Sequence, residues 1–260
     1  MIIRLSREGV FPITTDVEGR PLQTATGLPY PGTIQGEGGL AGVPSLFVRL
    51  QGCNLRCRWT TADGRTVFCD TAHTWDATSG NAMEVDQLVR LIGHNTASLH
   101  HVVVTGGEPM LQPEALAELL EGLHGMGLHT TVETNGSIAD PSVARHTDLM
   151  SISPKLSSSD NKTAGLEESV GKLVGLTRQN GGSVQLKFVI ATEEDESEIK
   201  ERFSESLSIV SPHEVIVMPM GVTQADLRAN GRTCLDIALR NGWRFGPRLH
   251  IDLFGNREGT

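Results

Sequence analysis

The chain has 260 residues, with 31 acidic side chains against 22 Lys or Arg and a formal net charge of −9 at pH 7. This acidic balance argues against a nucleic-acid-binding protein, because phosphate backbones are bound by clustered Lys and Arg. The N-terminus has no signal-peptide pattern, and no stretch approaches the roughly 20 apolar residues of a membrane span. We therefore expect a cytoplasmic enzyme with neither nucleic acid nor membrane as a partner.

From about residue 45, short β-rich runs alternate with helical patterns, which is typical of a parallel sheet wrapped by helices. The predicted strands are 45–50, 101–105, 128–133, 148–153, 184–191 and 214–220. The predicted helices are 84–92, 113–126, 166–179, 193–207 and 223–242. In the second helix, leucines recur at helical spacing from Leu116 to Leu123.

Connections this short between six strands predict an α/β fold, a (β/α)6 partial TIM barrel, within a single domain over 1–260. The barrel core would span 45–222. Residues 1–44 would be an N-terminal segment that carries a substrate loop and is not a unit of its own. Residues 223–260 would form a C-terminal helix and an edge segment, with a possible further strand at 243–253.

Three of the four cysteines, Cys53, Cys57 and Cys69, fall in the segment QGCNLRCRWTTADGRTVFCDTAHTW. Soft thiolates are the ligands that iron–sulfur clusters prefer. Three thiolates would hold a [4Fe–4S] cluster and leave one iron open, and the small molecule most often bound there is S-adenosylmethionine (SAM). A zinc site completed by His73, or inert buried thiols, remain alternatives. Cys234 lies in a helical pattern and is expected in the core.

Polar motifs follow the predicted strands at the ends where chemistry collects in such barrels. The motifs are Thr105-Gly106-Gly107-Glu108-Pro109, Glu133-Thr134-Asn135-Gly136, Ser153-Pro154-Lys155 and Met218-Pro219-Met220-Gly221, and Lys187 lies within the fifth strand. A glycine-rich segment at 31–38, PGTIQGEG, precedes the first strand and on its own would be an ordinary loop. The polar loop 156–165 has no assigned role.

Together these motifs resemble the radical-SAM superfamily, whose usual cysteine spacing is Cys-x3-Cys-x2-Cys. Here nine residues, 60–68, stand between Trp59 and Cys69. We expect this insertion, which contains the turn signal Ala62-Asp63-Gly64, to leave the cluster loop and return without supplying a ligand.

The resemblance can be narrowed further. The segments TIQGEGGLAGVPSLFVRLQGCNLRC, CDTAHTW, VTGGEPMLQ, ETNGS, SPK, QLKFV and RLHIDLFGNREG are similar to the 7-carboxy-7-deazaguanine synthase family, from about residue 31 to the end. That family belongs to the biosynthesis of 7-deazapurines such as queuosine precursors. Met218 stands where the family often has a glutamine.

The resemblance implies a carbon–nitrogen lyase that uses a [4Fe–4S] cluster on the three cysteines, SAM and Mg²⁺. Reduction of SAM would yield methionine and a 5′-deoxyadenosyl radical, which would take a hydrogen from C6 of 6-carboxy-5,6,7,8-tetrahydropterin. Ring contraction with loss of ammonia would give 7-carboxy-7-deazaguanine. A reductant protein such as flavodoxin or ferredoxin would supply the electron, and a homodimer is expected.

The resemblance also assigns residues to the ligands. SAM would be bound by Gly106, Gly107, Glu108, Glu133, Asn135, Ser153, Lys155 and Lys187. The pterin would be bound by Ile34, Gln35, Gly36, Glu37, Arg49, Thr105 and His250, with the planar fork of Arg49 on the substrate carboxylate. The Thr71 hydroxyl would hold Mg²⁺ and Asp70 a metal-bound water. Without the family, Asp70-Thr71 would be a turn or a helix cap.

Two other functions remain open. One is a different radical-SAM enzyme, such as a glycyl-radical activase, which would need a docking surface for its partner protein. The other is a zinc-binding protein without a catalytic role. Absorption near 400 nm after anaerobic purification would distinguish an iron–sulfur protein from a zinc protein.

Overall fold

Parallel strands form the centre of the fold. The structure is a computed structural model that describes residues 1–61, 63–96, 98–161 and 164–260. The strands are β1 Ile2–Phe11, β2 Thr33–Ile34, β3 Pro44–Leu50, β4 Arg58–Thr60, β5 Thr66–Phe68, β6 Asn81–Glu84, β7 His101–Gly106, β8 His129–Thr134, β9 Leu149–Ile152, β10 Ser183–Ile190, β11 Val215–Pro219 and β12 Arg244–Phe245. The helices are α1 Val85–His94, α2 Pro113–Gly125, α3 Pro141–Arg145, α4 Leu166–Gln179, α5 Glu194–Arg202, α6 Ser204–Ile209, α7 Gln224–Asn241 and α8 Leu249–Phe254.

The main sheet has the strand order β12-β11-β10-β9-β8-β7-β3-β1-β6. Neighbouring strands are parallel from β3 through β12, whereas β1 runs antiparallel between β3 and β6. Each predicted strand is present, as β3 and β7 to β11, with bounds within one residue of those expected. The partial (β/α)6 barrel is thus confirmed.

The core lies between this sheet and the helices outside it. Every residue of β7, β9 and β11 is buried, as expected for strands that are covered on both faces. The leucine stripe of α2 is fully buried, and burial of each such side chain contributes about 1.5–3 kcal/mol. Among the described residues, no helix has both the length and the apolar character that a membrane crossing requires.

Two predicted elements differ in the structure. The helix expected at 193–207 is divided into α5 and α6 at Phe203, whose buried ring packs 5.3 Å from that of Phe188. The strand expected at 243–253 was wrong beyond its start, because only Arg244–Phe245 pairs with β11. Pro247 follows and has no N–H to continue a ladder, and the chain then forms α8.

The N-terminal segment contributes a strand that the sequence patterns did not predict. In β1, the apolar residues Ile3, Leu5 and Val10 are buried, but the pairing with β3 shifts register between Leu5 and Val10. Gly9 lies in this irregular stretch with φ +58°, a conformation that favours glycine. The irregularity breaks the simple alternation by which a strand is recognised.

A buried histidine on β7 makes the stability depend on pH. His101 is 3% exposed, with Nδ1 2.7 Å from Ser45 Oγ and Nε2 2.8 Å from Thr131 Oγ1. Burial lowers the pKa of His101 to about 4. Because the unfolded value is about 6.5, only the unfolded chain takes up this proton between about pH 6.5 and 4. The free energy of unfolding should therefore decrease as the pH is lowered from about 6.5 to about 4, by at most about 1.4 kcal/mol per pH unit.

Urea titrations at about pH 7 and pH 5 test this prediction. His101→Gln lowers stability at both pH values but should lose part of the difference between them. His100→Gln, at an exposed neighbouring position, should keep the wild-type difference. An unchanged difference in His101→Gln would contradict the prediction.

Candidate active site

A cavity lies over the carboxyl ends of the parallel strands. It is lined by every residue predicted for the site except Glu108: Ile34, Gln35, Gly36, Glu37, Arg49, Cys53, Cys57, Cys69, Asp70, Thr71, Thr105, Gly106, Gly107, Glu133, Asn135, Ser153, Lys155, Lys187 and His250. These residues come from sequence positions more than 200 residues apart. The barrel topology brings them together because parallel strands end at one edge of the sheet.

The three cysteines of the cluster motif are free thiols that face this cavity. Burial raises the pKa of the Cys69 thiol to about 12, and it raises those of Cys53 and Cys57 in the same direction. Bound cationic iron would reverse this preference, because it stabilises the thiolate form.

The groups around the cysteines bear on the choice between a cluster and a zinc ion. A structural zinc site usually takes four Cys or His ligands. Among the described residues, the ligand atoms of Glu8, His73 and Glu258 lie within 4.8 Å of one another. His73, the candidate fourth zinc ligand, has its Nε2 2.6 Å from Glu8 Oε1. His73 is thus paired with Glu8, and the three thiols that remain suit an iron–sulfur cluster with one open iron.

The insertion forms a hairpin beside the cluster motif. Strands β4 and β5 pair Trp59 with Val67, and both side chains are buried with Leu55 and Met220. At the base of the hairpin, the Cys69 N–H donates to the Cys57 carbonyl at 3.1 Å. The ladder therefore returns Cys69 to a position next to Cys57.

The hairpin tip is anchored away from the cysteines. Thr61 N–H donates to the Arg65 carbonyl at 2.9 Å, and Arg65 Nη2 lies 3.1 Å from Asp226 Oδ1 at the start of α7. Ala62, part of the predicted turn signal, lies outside the described residues. Residues 60–68 include no Cys or His.

The glycine pair after β7 is required by close backbone packing. A Cβ at Gly106 would lie 2.3 Å from the Leu50 carbonyl oxygen, and one at Gly107 would lie 2.2 Å from the Gly52 carbonyl oxygen. Any larger residue would push the cysteine loop away. Both glycines line the cavity, and backbone carbonyls are groups that can accept hydrogen bonds from an ammonium group.

Glu108 has a different place from the one expected for a SAM ligand. It is fully buried behind the cavity wall, and burial raises the pKa of its carboxyl group. Its Oε1 accepts from the Met110 N–H at 2.9 Å and the Thr134 hydroxyl at 2.7 Å, and its Oε2 accepts from the Asn135 N–H at 2.7 Å. Glu108 thus braces two loops in this structure, and its contact with SAM stays a prediction.

Ion pairs connect the two ends of the cavity. Lys187 Nζ lies 2.9 Å from Glu133 Oε1 and 3.1 Å from Glu37 Oε2, and Arg248 Nε lies 2.8 Å from Glu37 Oε1. Arg248 Nη2 lies 2.6 Å from Asp70 Oδ2. The carboxylates of Glu133, Glu37, Asp70 and their two cations thus alternate in sign along the wall, and we call this set the charge chain.

The charge chain keeps Glu37 and Lys187 ionised. Burial opposes the charge on Glu37, yet Arg248 and Lys187 hold the pKa of that carboxyl well below its usual range. Burial likewise opposes the charge on Lys187, and the carboxylates of Glu133 and Glu37 raise the pKa of its ammonium group. Ionised groups are therefore in place before any ligand binds.

Arg49 and Thr71 also line the cavity. The Arg49 guanidinium lies 4.9 Å from the centre of the Phe11 ring, and within the described part of the chain its Nε has no hydrogen-bond acceptor. Thr71 Oγ1 lies 3.3 Å from Cys69 Sγ and 3.5 Å from the Gly106 carbonyl oxygen. Arg49 thus offers a cation with a spare donor, and Thr71 a hydroxyl beside the cysteine loop.

Sequence patterns missed some residues that line the cavity. Arg248 is two positions before His250, and a charge beside that predicted site residue was a usable signal. Glu8 was missed with the irregular strand that carries it. Met218 and Met220 also line the wall, so the sixth strand presents thioethers there.

The hairpin yields a testable prediction. Deletion of residues 60–68 should give a folded protein that still binds iron, because the segment supplies no thiolate or imidazole. Loss of buried Val67 and of the Arg65–Asp226 pair should lower the free energy of unfolding by about 1–3 kcal/mol. Iron content, absorbance near 400 nm and urea unfolding measure both effects, with Val67→Ala as the milder companion. A folded deletion variant without iron would show that the insert belongs to the site.

Comparisons with known proteins agree with this geometry. Residues 47–151 match the Radical SAM superfamily. The 7-carboxy-7-deazaguanine synthase of Halobacterium salinarum is 37% identical over 247 aligned residues, which cover 88% of this chain and 90% of the relative. The synthase of the same name from Escherichia coli K12 is 28% identical and is covered to 93% of its length.

A solved structure shares the fold. The crystal structure of QueE from Escherichia coli superposes with a TM-score of 0.60 at 23% identity, over 91% of this chain and 93% of that chain. The identity to the Halobacterium relative over nearly the full length of both chains establishes the family. The chain belongs to the 7-carboxy-7-deazaguanine synthase family of radical-SAM enzymes.

Proposed function

We propose that the protein converts 6-carboxy-5,6,7,8-tetrahydropterin to 7-carboxy-7-deazaguanine with loss of ammonia, in the biosynthesis of 7-deazapurines such as queuosine precursors. The supporting observation is that the three cysteines, the Gly106-Gly107 turn and a set of carboxylate- and amine-reading side chains line one cavity. When bound, the [4Fe–4S] cluster and SAM would supply a 5′-deoxyadenosyl radical that removes a hydrogen atom from the substrate.

The SAM end of the cavity is built from backbone and held polar groups. The carbonyls of the glycine turn would accept from the methionine ammonium group. Lys155 Nζ donates to the Ser153 carbonyl and hydroxyl at 2.9 Å each, which fixes the position of its charge. Asn135 Nδ2 donates to Asn54 Oδ1 at 2.9 Å, on the cysteine loop. These residues would orient SAM relative to the cluster.

The pterin end combines a buried carboxylate with the cation of Arg49, whose Nε lies 3.9 Å from Glu8 Oε1. Arg49 would grip the substrate carboxylate through two N–H donors. Ionised Glu37 would accept from the amino and amide N–H groups of the pterin, with Gln35, Thr105 and His250 as further polar neighbours. Burial lowers the pKa of His250, so its ring is neutral near pH 7 and can both donate and accept a hydrogen bond.

Thr71 and Asp70 have the donor set that Mg²⁺ would need beside the substrate carboxylate. Mg²⁺ keeps several waters and takes few protein ligands, so one hydroxyl and one carboxylate at the cavity wall fit. Asp70 is 32% exposed in its side chain, and Oδ2 is already occupied by Arg248. Asp70 would therefore accept from a metal-bound water and Thr71 would coordinate through its hydroxyl.

The remaining partners are inferred from this chemistry. A reductant protein such as flavodoxin or ferredoxin would deliver the electron. Thiolate ligands need a reducing compartment, which supports a cytoplasmic location. We infer a homodimer, since two-fold dimers are the commonest oligomers, and size-exclusion chromatography with light scattering would measure it.

The cysteines give the second prediction on this site. Alanine at Cys53, Cys57 or Cys69 should abolish cleavage of SAM, because each thiolate is needed to leave one iron open. Cys234→Ala should retain cleavage, since that thiol is fully buried in the core away from the cavity. Formation of 5′-deoxyadenosine with dithionite is the measurement. Equal loss in Cys234→Ala would mean that the cluster ligands are misassigned.

The substrate contacts give a prediction that separates binding of the pterin from cleavage of SAM. Arg49→Ala and Thr71→Ala should still bind the cluster and slowly cleave SAM, yet make little 7-carboxy-7-deazaguanine. Loss of orientation explains this, because a misplacement of about 1 Å can lower a rate on the order of a hundredfold. Mg²⁺ should raise product formation in the wild type and less so in Thr71→Ala.

Mass spectrometry of the products, with and without Mg²⁺, measures this prediction. A wild-type protein that cleaves SAM but never converts this pterin would overturn the proposed reaction. The radical-SAM activity would then have another substrate, with a glycyl-radical partner protein as the next candidate to assay.

A further inference from the structure

Arg248 connects three segments of the cavity wall. Its Nε donates to Glu37 in the loop after β2, its Nη2 donates to Asp70 in the cysteine loop, and its Nη1 donates to the Gly221 carbonyl after β11. Its side chain is only 10% exposed. Each of its three nitrogens is thus committed to a different part of the chain.

Backbone contacts hold Arg248 itself in place. The adjacent Leu249 N–H donates to the Gly36 carbonyl at 2.9 Å, so the start of α8 is joined to the same loop that carries Glu37. A Cβ at Gly36 would lie 2.2 Å from His250 Nδ1, which shows how closely the two segments approach. Arg248 therefore has little freedom to leave its partners.

The two carboxylates that Arg248 bonds, Glu37 and Asp70, have separate roles in the proposed reaction. Glu37 reads the pterin amine edge, whereas Asp70 and Thr71 serve the carboxylate and metal end. A planar guanidinium fixes the separation and angle of its two carboxylate partners, which an ammonium group with one nitrogen does not. The geometry thus sets one end of the substrate site against the other.

We propose that Arg248 is a positioning residue that fixes Asp70 relative to Glu37 and so couples the metal end of the substrate cavity to its pterin-reading end. The inference rests on the proposed function and adds to it. Arg248 acts on the substrate through the two carboxylates, and it holds Asp70 by Oδ2 while Oδ1 lies 3.6 Å from Cys69 Sγ. We expect variants at Arg248 to keep SAM cleavage, because its hydrogen bonds go to Glu37, Asp70 and Gly221 and not to a cysteine.

The test compares Arg248→Met, Arg248→Lys, Asp70→Asn and the double variant Arg248→Met/Asp70→Asn. Product formed per SAM cleaved should fall about tenfold or more in Arg248→Met, with iron content unchanged. Arg248→Lys should recover part of the loss, because one ammonium can hold one carboxylate. The double variant should be no worse than the poorer single variant, since residues that act through one contact are not additive.

Hydrogen–deuterium exchange gives a second readout that needs no pterin. Peptides covering 33–40 and 69–75 should both exchange faster in Arg248→Met, and peptides from α2 should not. Arg202→Met is the matched control, because Arg202 also bonds two carboxylates, Glu167 and Glu198, but does not line the cavity. It should leave product per SAM cleaved unchanged.

The outcomes are separable. Full product per SAM cleaved in Arg248→Met, or multiplicative losses in the double variant, would overturn the positioning role. Unchanged exchange at 33–40 and 69–75 would overturn it as well. If the wild type makes no product from the pterin, the proposed function fails, and the exchange data still decide whether Arg248 joins the two segments.

Discussion

The buried carboxylate of Glu108 is the interaction on which the arrangement of the site depends. The backbone N–H of Glu108 donates to the Gly52 carbonyl at 2.8 Å, and its carboxylate accepts from Thr134 and Asn135. One residue thus joins the loops after β3, β7 and β8. Because it is fully buried, each lost partner would leave a polar group unsatisfied at a cost of about 1–3 kcal/mol. The cysteine loop and the Gly106-Gly107 turn therefore keep a fixed relation.

The charge chain has a related effect on the other side of the cavity. Its three carboxylates and two cations place each cation between two anions. Removal of one member from such a set leaves an uncompensated charge in a poorly solvated place, which is strongly destabilising. Fixed charges that need no rearrangement are what a site for orienting a reactive substrate requires. Both sets of contacts fix the residues of the cavity wall relative to one another.

Sequence patterns predicted the parts of the fold that repeat. The six parallel strands carry β-rich runs, and polar motifs stand at the ends of most of them, so the location of the site followed from the strands. Irregular parts were not predictable in this way. The bulged β1, the break at Phe203 and the turn at Pro247 depend on tertiary packing or on one residue's backbone geometry.

Roles within the site were harder to predict than locations. Glu108 and Glu133 both lie at the carboxyl end of a parallel strand, but Glu108 is buried outside the cavity lining whereas Glu133 lines the cavity. Spacing along the chain does not determine that choice, because both lie at the ends of parallel strands. Arg248 shows the opposite case, in which a residue remote in sequence becomes central through contacts with two other segments.

The hairpin between Cys57 and Cys69 shows how the number of residues between two cysteines of a motif can change while the two cysteines stay adjacent. What holds Cys69 in place is the bond to Cys57 at the base of the ladder, not the number of residues between them. Residues added beyond the Trp59–Val67 pair lengthen the hairpin at its far end, and pairs of residues preserve which side chains face inward. The number of residues between the two cysteines can therefore differ from one such loop to another while the positions of the thiols stay the same.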